Sequence, residues 1–157
     1  MTQPFDYIEM KIPAKAEYVG VIRLTLSGIA NRMGFSYEDL EDLKIAVSEA
    51  CTNAVQHAYK LEGHGEVKVG FGLYRNRIEI MVADHGQSFD FEQSRNGKGP
   101  YEKHDSIDFL REGGLGLYLI ETLMDEVRIH HTVGVTVFMT KYLEGEQVEI
   151  DAKTIST

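Results

Sequence analysis

The 157-residue sequence is poor in cysteine, in positive charge and in long apolar runs, and each shortage excludes a class of protein. A single cysteine, Cys51, excludes an internal disulfide and a cysteine-based zinc site. Basic residues number 16 against 25 acidic ones, and the net charge of −9 argues against a general nucleic-acid-binding protein, which needs a broad basic surface. No apolar run has the length of a membrane span, and the polar start Met1–Asp6 does not resemble a secretory signal. We therefore expect a soluble, cytoplasmic protein.

The length and the composition fit one globular domain with a proper core. Hydrophobic residues make up 43% of the chain and charged residues 26%, which are ordinary values for such a domain. Alternating and helical apolar patterns predict a strand at 7–13, helices at 17–33 and about 37–59, strands at 66–74 and 77–83, a helix at 117–126, and strands at 127–132 and 135–143. This order favours an α+β two-layer sandwich. We expect one domain over 1–145 and a polar tail at 146–157.

The first two predicted helices are separated by a short connection. We assign the apolar stripe of the first helix to Val21, Leu24, Ile29 and their neighbours. Gly34 is expected to end this helix, and Ser36 to cap the N-terminus of the next.

The second helix carries a row of functional groups, Glu49, Asn53 and His57, at every fourth residue. This spacing stacks them along one side of the helix. The carboxylate can accept a proton, and the carboxamide oxygen can ligate a hard cation such as Mg²⁺. Two interpretations of His57 stay open, a surface or capping histidine and a structural role beside the site. The opposite side is predicted to supply the core with Leu40, Leu43, Val47, Ala50 and Ala54, and Cys51 is expected to be a small buried core residue.

Asp84 and Gly86 follow the apolar strand at 77–83. A carboxylate at this point can accept a hydrogen bond from an exocyclic amine such as that of adenine, and Gly86 lets the backbone approach the base. The alternative is an ordinary Asp-x-Gly turn that closes a strand.

A glycine-rich stretch from Gly113 to Leu117 opens the helix predicted at 117–126. Free backbone N–H groups at a helix start form an anion site suited to phosphate, although a flexible hinge is the alternative. The stretch lacks the Lys-Ser/Thr ending of a Walker loop and does not follow the clear strand of a Rossmann fingerprint. The long irregular connection at 87–112 is expected to be functional or disordered.

The order and spacing of these motifs resemble the GHKL nucleotide-binding family over roughly residues 40–140. That resemblance implies a mixed, mostly antiparallel sheet with helices on one face, ATP as ligand, and a mobile lid at 87–112. It implies Glu49 as the catalytic base and Asn53 as the Mg²⁺ ligand. The remaining nucleotide contacts that it implies are Asp84, Gly86, Gly113, Gly114, Leu115, Gly116, Leu117 and, in the adenine pocket, Thr136, which in isolation is typical of an ordinary strand residue.

Within that family, the chain is similar to the bacterial anti-sigma serine kinases that act on sigma-B. The segments 18–27, 43–50 and 123–127 carry this likeness, which is nearly full length. It implies a homodimer that binds the sigma factor and phosphorylates a serine of an anti-anti-sigma protein. Arg23 matches the partner-facing arginine of the first helix; a solvated arginine is the alternative.

Two other functions stay open on the sequence alone. One is a GHKL ATPase-type regulator without protein-kinase activity, in which water replaces the serine. The other is a sigma-binding module whose nucleotide site is inert, although the presence of Glu49, Asn53 and Asp84 counts against it.

Overall fold

The computed structural model describes residues 5–62, 65–84, 115–131 and 134–143, which form one sheet with helices packed against it. The elements are β1 (Asp6–Pro13), a 3₁₀ turn (Ala16–Tyr18), α1 (Val19–Met33), α2 (Tyr37–Glu62), β2 (Glu66–Leu73), β3 (Arg77–Ala83), α3 (Leu115–Leu123), β4 (Glu126–His131) and β5 (Val135–Tyr142). The strand order is β1-β2-β3-β5-β4, and all four neighbouring pairs are antiparallel. The predicted α+β fold is confirmed, with an antiparallel sheet throughout these residues. The predicted lid at 87–112 and the tail at 146–157 lie outside them.

Helix α2 is the central element of the helical layer. It contacts α1, α3 and strands β2, β3 and β5. Its core side was predicted correctly: Leu43, Val47, Ala50 and Ala54 are buried, and Leu40 packs against them. Alternate residues of β2 and β3 meet this side, among them the fully buried Val67, Val69, Phe71, Ile78 and Ile80. No helix among the described residues has both the length and the apolar character needed to cross a membrane.

The buried side predicted for α1 was wrong: it lies part of a helical turn away from the observed one. Val21 and Leu24 are exposed, Leu24 to 75%, whereas the buried side of α1 consists of Val19, Ile22, Leu26, Ile29 and Ala30. Spacings of three and four residues connect this buried set, so it forms one continuous stripe of a 3.6-residue helix. Val21 and Leu24 lie on a neighbouring stripe that faces solvent.

The connection between α1 and α2 has the predicted end signals. Gly34 adopts φ 97°, and its N–H bonds the carbonyls of Ala30 and Asn31. This left-handed conformation suits glycine because no Cβ is present to clash. Ser36 Oγ accepts the backbone N–H of Asp39 at 3.1 Å, so the serine caps the start of α2.

Helix α3 ends earlier than predicted because tertiary contacts stop it. Lys141 Nζ donates to the carbonyl oxygen of Leu123 at 2.7 Å, and Asp125 Oδ2 accepts the Tyr142 N–H at 2.7 Å. The backbone N–H of Asp125 bonds the carbonyl of Thr140, which starts the pairing of β4 with β5. Strand β4 therefore begins at Glu126, the residue where the sequence pattern placed the end of the helix.

Candidate nucleotide and phosphoryl-transfer site

Glu49 and Asn53 meet the start of α3 at Gly116. A methyl group on Gly116 would lie 2.9 Å from Glu49 Oε1 and 3.4 Å from Asn53 Nδ2. A distance of 2.9 Å is too short for carbon and oxygen in van der Waals contact. Glycine at this position therefore lets α3 begin directly against the two polar side chains of α2.

Both side chains have polar atoms that bond no residue in the part of the chain that the structure describes. Asn53 Nδ2 is buried without a hydrogen bond, and Glu49 has none to any residue within the described ranges. Burying an amide group without a partner costs free energy. A ligand is one partner that can satisfy such a group, so the arrangement favours a binding site over a finished core.

Asp84 lies at the end of β3 with its side chain only 1% exposed. Its Oδ1 accepts the backbone N–H of Val135 at 3.1 Å, and its own N–H bonds the Val135 carbonyl at 3.2 Å. Its Oδ2 contacts Nδ1 of His57, whose side chain is 23% exposed. The third member of the α2 row thus reaches the carboxylate predicted to bind adenine. Of the two interpretations of His57, the structure supports the role beside the site.

Thr136 does not join this group through its side chain. The register pairs it with Ala83 on β3 and His130 on β4. Its neighbours Val135 and Val137 are part of the core beneath the helices, so alternation turns Thr136 towards the opposite face of the sheet. Met81 and Phe138, which are cross-strand partners, occupy that same face.

The remaining predicted nucleotide contacts divide into two groups. Gly86, Gly113 and Gly114 lie outside the described residues. Leu115 begins α3, and Leu117 is fully buried in the core. Leu117 therefore anchors α3 in the core, and among the predicted glycines Gly116 is the one whose surroundings are described.

The donor set fits Mg²⁺ held together with a nucleotide. Over the described ranges, no three His, Cys, Asp or Glu side chains are grouped to hold a metal ion. Mg²⁺ needs no such cage, because it keeps several waters and takes one or two protein oxygens together with phosphates. Glu49 and Asn53 supply hard oxygen donors on one side of α2, both beside Gly116.

Two further residues near Glu49 have defined places. Arg23 on α1 is exposed, as predicted, and its Nη1 donates to Ser48 Oγ at 2.9 Å. Cys51 is buried in the core, as predicted, and burial raises the pKa of its thiol to about 12. Cys51 is therefore a core residue without thiolate chemistry.

Three features of the site were missed by the sequence-based predictions. The position of His57 in the row was visible, but its bond to Asp84 joins residues 27 apart and depends on how α2 lies on β3. The Val135 N–H that holds Asp84 comes from strand pairing and leaves no mark in the side-chain pattern. The steric role of Gly116 was likewise hidden by the expectation of phosphate binding.

Comparisons with known proteins identify the family of the chain. The chain matches the histidine kinase-like ATPase domain over residues 12–141. The serine-protein kinase RsbW of Bacillus subtilis (strain 168) is 64% identical over 146 residues, which are 93% of this chain and 91% of that protein. The serine-protein kinase RsbW of Bacillus cereus (strain AH820) is 62% identical over 157 residues, 100% of this chain and 98% of that protein.

A solved structure shows the same fold. It contains the RsbU and RsbW domains of Rv1364c from Mycobacterium tuberculosis and matches with a TM-score of 0.63 and 24% identity. The match covers 89% of this chain and 33% of that chain. With family, relatives and fold in agreement, the chain belongs to the histidine kinase-like ATPase domain family, among the serine-protein kinases of the RsbW type.

Proposed function

We propose that this protein is an ATP-dependent serine-protein kinase and anti-sigma factor. It binds a sigma-B type factor and transfers the γ-phosphoryl group of ATP to a serine of the anti-anti-sigma protein that opposes it. The identity of 62–64% to serine-protein kinases over almost the whole chain supports this activity. The observation that carries the proposal is the meeting of Glu49 and Asn53 at the start of α3, where Asn53 Nδ2 is buried without a hydrogen bond.

The residues of this site suit phosphoryl transfer, which requires from a protein mainly positioning and charge neutralisation. In the proposed reaction, the serine Oγ bonds to the γ-phosphorus while the bond from that phosphorus to the β,γ-bridging oxygen breaks, and ADP leaves. Glu49 accepts the serine proton. The backbone N–H groups at the start of α3 bind phosphate oxygens. Asp84 accepts a hydrogen bond from the adenine amine.

Asn53 is the proposed Mg²⁺ ligand through its carboxamide oxygen. When bound, Mg²⁺ neutralises phosphate charge. The contribution of the chain is to place this oxygen one helical turn from the Glu49 carboxylate, so that the proton acceptor and the metal ligand share a rigid helix.

The test is phosphate transfer to a candidate anti-anti-sigma protein. The two proteins are incubated with Mg·ATP, and the intact mass of the partner is followed for one added phosphate. Loss of a general base lowers rates by about 10²-fold or more, so Glu49→Ala is expected to abolish measurable transfer. Glu121→Ala, which removes an exposed glutamate on α3, serves as the matched control and should transfer at the wild-type rate.

The outcomes separate the candidate functions. ATP consumption without phosphate on any anti-anti-sigma partner would favour an ATPase-type regulator. Sigma-factor binding without nucleotide binding would favour the inert module. Equal transfer by wild type and Glu49→Ala would remove Glu49 from the role of base.

The proposed partners extend to a second copy of the chain. By family resemblance we propose a homodimer, which light scattering after size-exclusion chromatography measures directly; a monomer mass near 17.7 kDa at working concentration would contradict it. Arg23 is the proposed partner contact, since it is exposed on α1 and bonded to Ser48, the neighbour of Glu49. We also propose a cytoplasmic location, because a protein that binds a sigma factor must share its compartment.

A further inference from the structure

The carboxylate of Asp84 has more protein partners than recognition of adenine by itself requires. Its two oxygens are divided between two elements: Oδ1 accepts the Val135 N–H of β5, and Oδ2 contacts His57 Nδ1 of α2. The side chain of Asp84 is 99% buried, so it has almost no solvent to orient it. Its direction is therefore set by these two partners.

The contact with Asp84 determines which ring nitrogen of His57 carries a hydrogen. A carboxylate oxygen can only accept, so the contact requires that Nδ1 carry the hydrogen and donate it. An apolar side chain at position 57 would leave Oδ2 buried without this donor. The histidine thus does more than fill space beside the aspartate.

A carboxylate held by two N–H groups cannot rotate freely, so its remaining lone pairs keep fixed directions. It can accept from an amine at purine C6, which donates, but it opposes a C6 oxygen, which also accepts. Sites built around such a polar contact discriminate strongly, because the wrong ligand leaves a buried group unpaired. If the carboxylate turned freely, it would lose contact with the amine and could rotate away from the oxygen.

We propose that His57 is a positioning residue that fixes Asp84 and thereby selects 6-amino over 6-oxo purine nucleotides. The inference rests on the proposed nucleotide site and deepens it. It also gives α2 a second role, because the helix that holds Glu49 and Asn53 orients, two turns from Glu49, the group that recognises the base.

The experiment compares the affinities of ATP and inosine triphosphate, which differ at purine C6, for the full chain in Mg²⁺ buffer. Isothermal titration or competition against a fluorescent ATP analogue gives the ratio of the two dissociation constants. A lost hydrogen bond to a charged group corresponds to about tenfold or more, so His57→Leu is expected to reduce the ATP preference by about tenfold. His57→Asn, whose amide N–H can replace Nδ1–H, is expected to retain most of the preference.

Gln56→Leu is the matched control, since it introduces the same side chain at the exposed neighbouring position and should leave the ratio unchanged. A ratio that stays at the wild-type value in His57→Leu would overturn the inference, even if both affinities fell together. Absence of ATP binding by the wild type would instead overturn the proposed nucleotide site and the inference with it.

A measurement on the wild type keeps the inference testable if His57→Leu does not fold. Imidazole ¹⁵N NMR distinguishes a protonated from an unprotonated ring nitrogen, and the signal missing in His57→Asn identifies His57 among the six histidines. A hydrogen on Nδ1 in the free protein is expected. An unprotonated Nδ1 would contradict donation to Asp84 and overturn the proposal.

Discussion

At the scale of single residues, Gly116 has a steric role that its backbone freedom does not explain. It lies within α3, and a methyl group there would approach Glu49 Oε1 to 2.9 Å. The obstructed atom is the far end of a flexible side chain, so the carboxylate can move and the fold can survive. We therefore predict that Gly116→Ala folds normally but displaces the carboxylate of Glu49, the proposed base, and lowers the transfer rate by about tenfold or more, part of the 10²–10⁴ that a general base contributes.

Gly28 provides the control for this substitution. It is also a helical glycine, but a methyl group there meets no atom within 4 Å. Gly28→Ala should keep the transfer rate and raise the free energy of unfolding by up to about 1 kcal/mol, since alanine favours the helix. Rates from intact-mass time courses and free energies from urea titration measure the two effects. An unimpaired rate in Gly116→Ala would show that Glu49 tolerates the displacement or is not the base.

At the scale of elements, the start of α2 depends on a single side chain. Ser36 Oγ accepts the Asp39 N–H at 3.1 Å, and α2 then runs for 26 residues through the site. Ser36→Ala is predicted to lower the free energy of unfolding by about 1 kcal/mol. That loss corresponds to about 2–4 °C in melting temperature for a domain of this size.

Ser36→Asp tests whether this effect comes from the cap. Aspartate also accepts the N3 N–H and carries a negative charge at the helix N-terminus, so its stability should be close to that of the wild type. Urea titrations of the three proteins give the comparison. Equal destabilisation by alanine and aspartate would assign the effect to packing of the serine instead.

The elements also show how far the sequence could specify this fold. Strands and helices were predictable because their apolar periods are local, and Gly34 and Ser36 carry their signals in their own chemistry. The buried side of α1 was not, since Val21 and Leu24 are as apolar as the residues that face the core. The end of α3 was missed because Lys141, 18 residues away, binds its last carbonyl.

In the site, too, features set by local sequence were predictable, and features set by long-range contacts were not. The row of Glu49, Asn53 and His57 is a property of helical spacing and was predictable. The partnership of His57 with Asp84 and the orientation of Thr136 depend on strand register and helix docking. A shift of one residue along a strand reverses which face a side chain occupies, so Thr136 could not be placed by its motif.

At the scale of the whole molecule, the proposed nucleotide would connect parts of the chain that are distant in sequence. Asp84 follows β3, Asn53 lies on α2, and Gly116 lies at the start of α3. A ligand that binds these groups in the folded state, and not in the unfolded chain, stabilises the fold by mass action. We expect ATP at about 100 times its dissociation constant to add about 2.7 kcal/mol. For a domain of this size, that gain raises the melting temperature by about 5–10 °C.

Removing Mg²⁺ separates the rise in melting temperature caused by ATP into a part that needs the metal and a part that does not. In EDTA, base and phosphate contacts remain, so ATP should still raise the melting temperature, but by less than Mg·ATP. Because Asn53 is the proposed Mg²⁺ ligand, Asn53→Ala is predicted to lose the Mg²⁺-dependent increment and keep the shift seen in EDTA. Asn31→Ala, an exposed asparagine on α1, is the matched control and should show both parts. An intact Mg²⁺-dependent increment in Asn53→Ala would move the metal to other ligands, and equal loss of both parts would assign Asn53 to the nucleotide pocket as a whole.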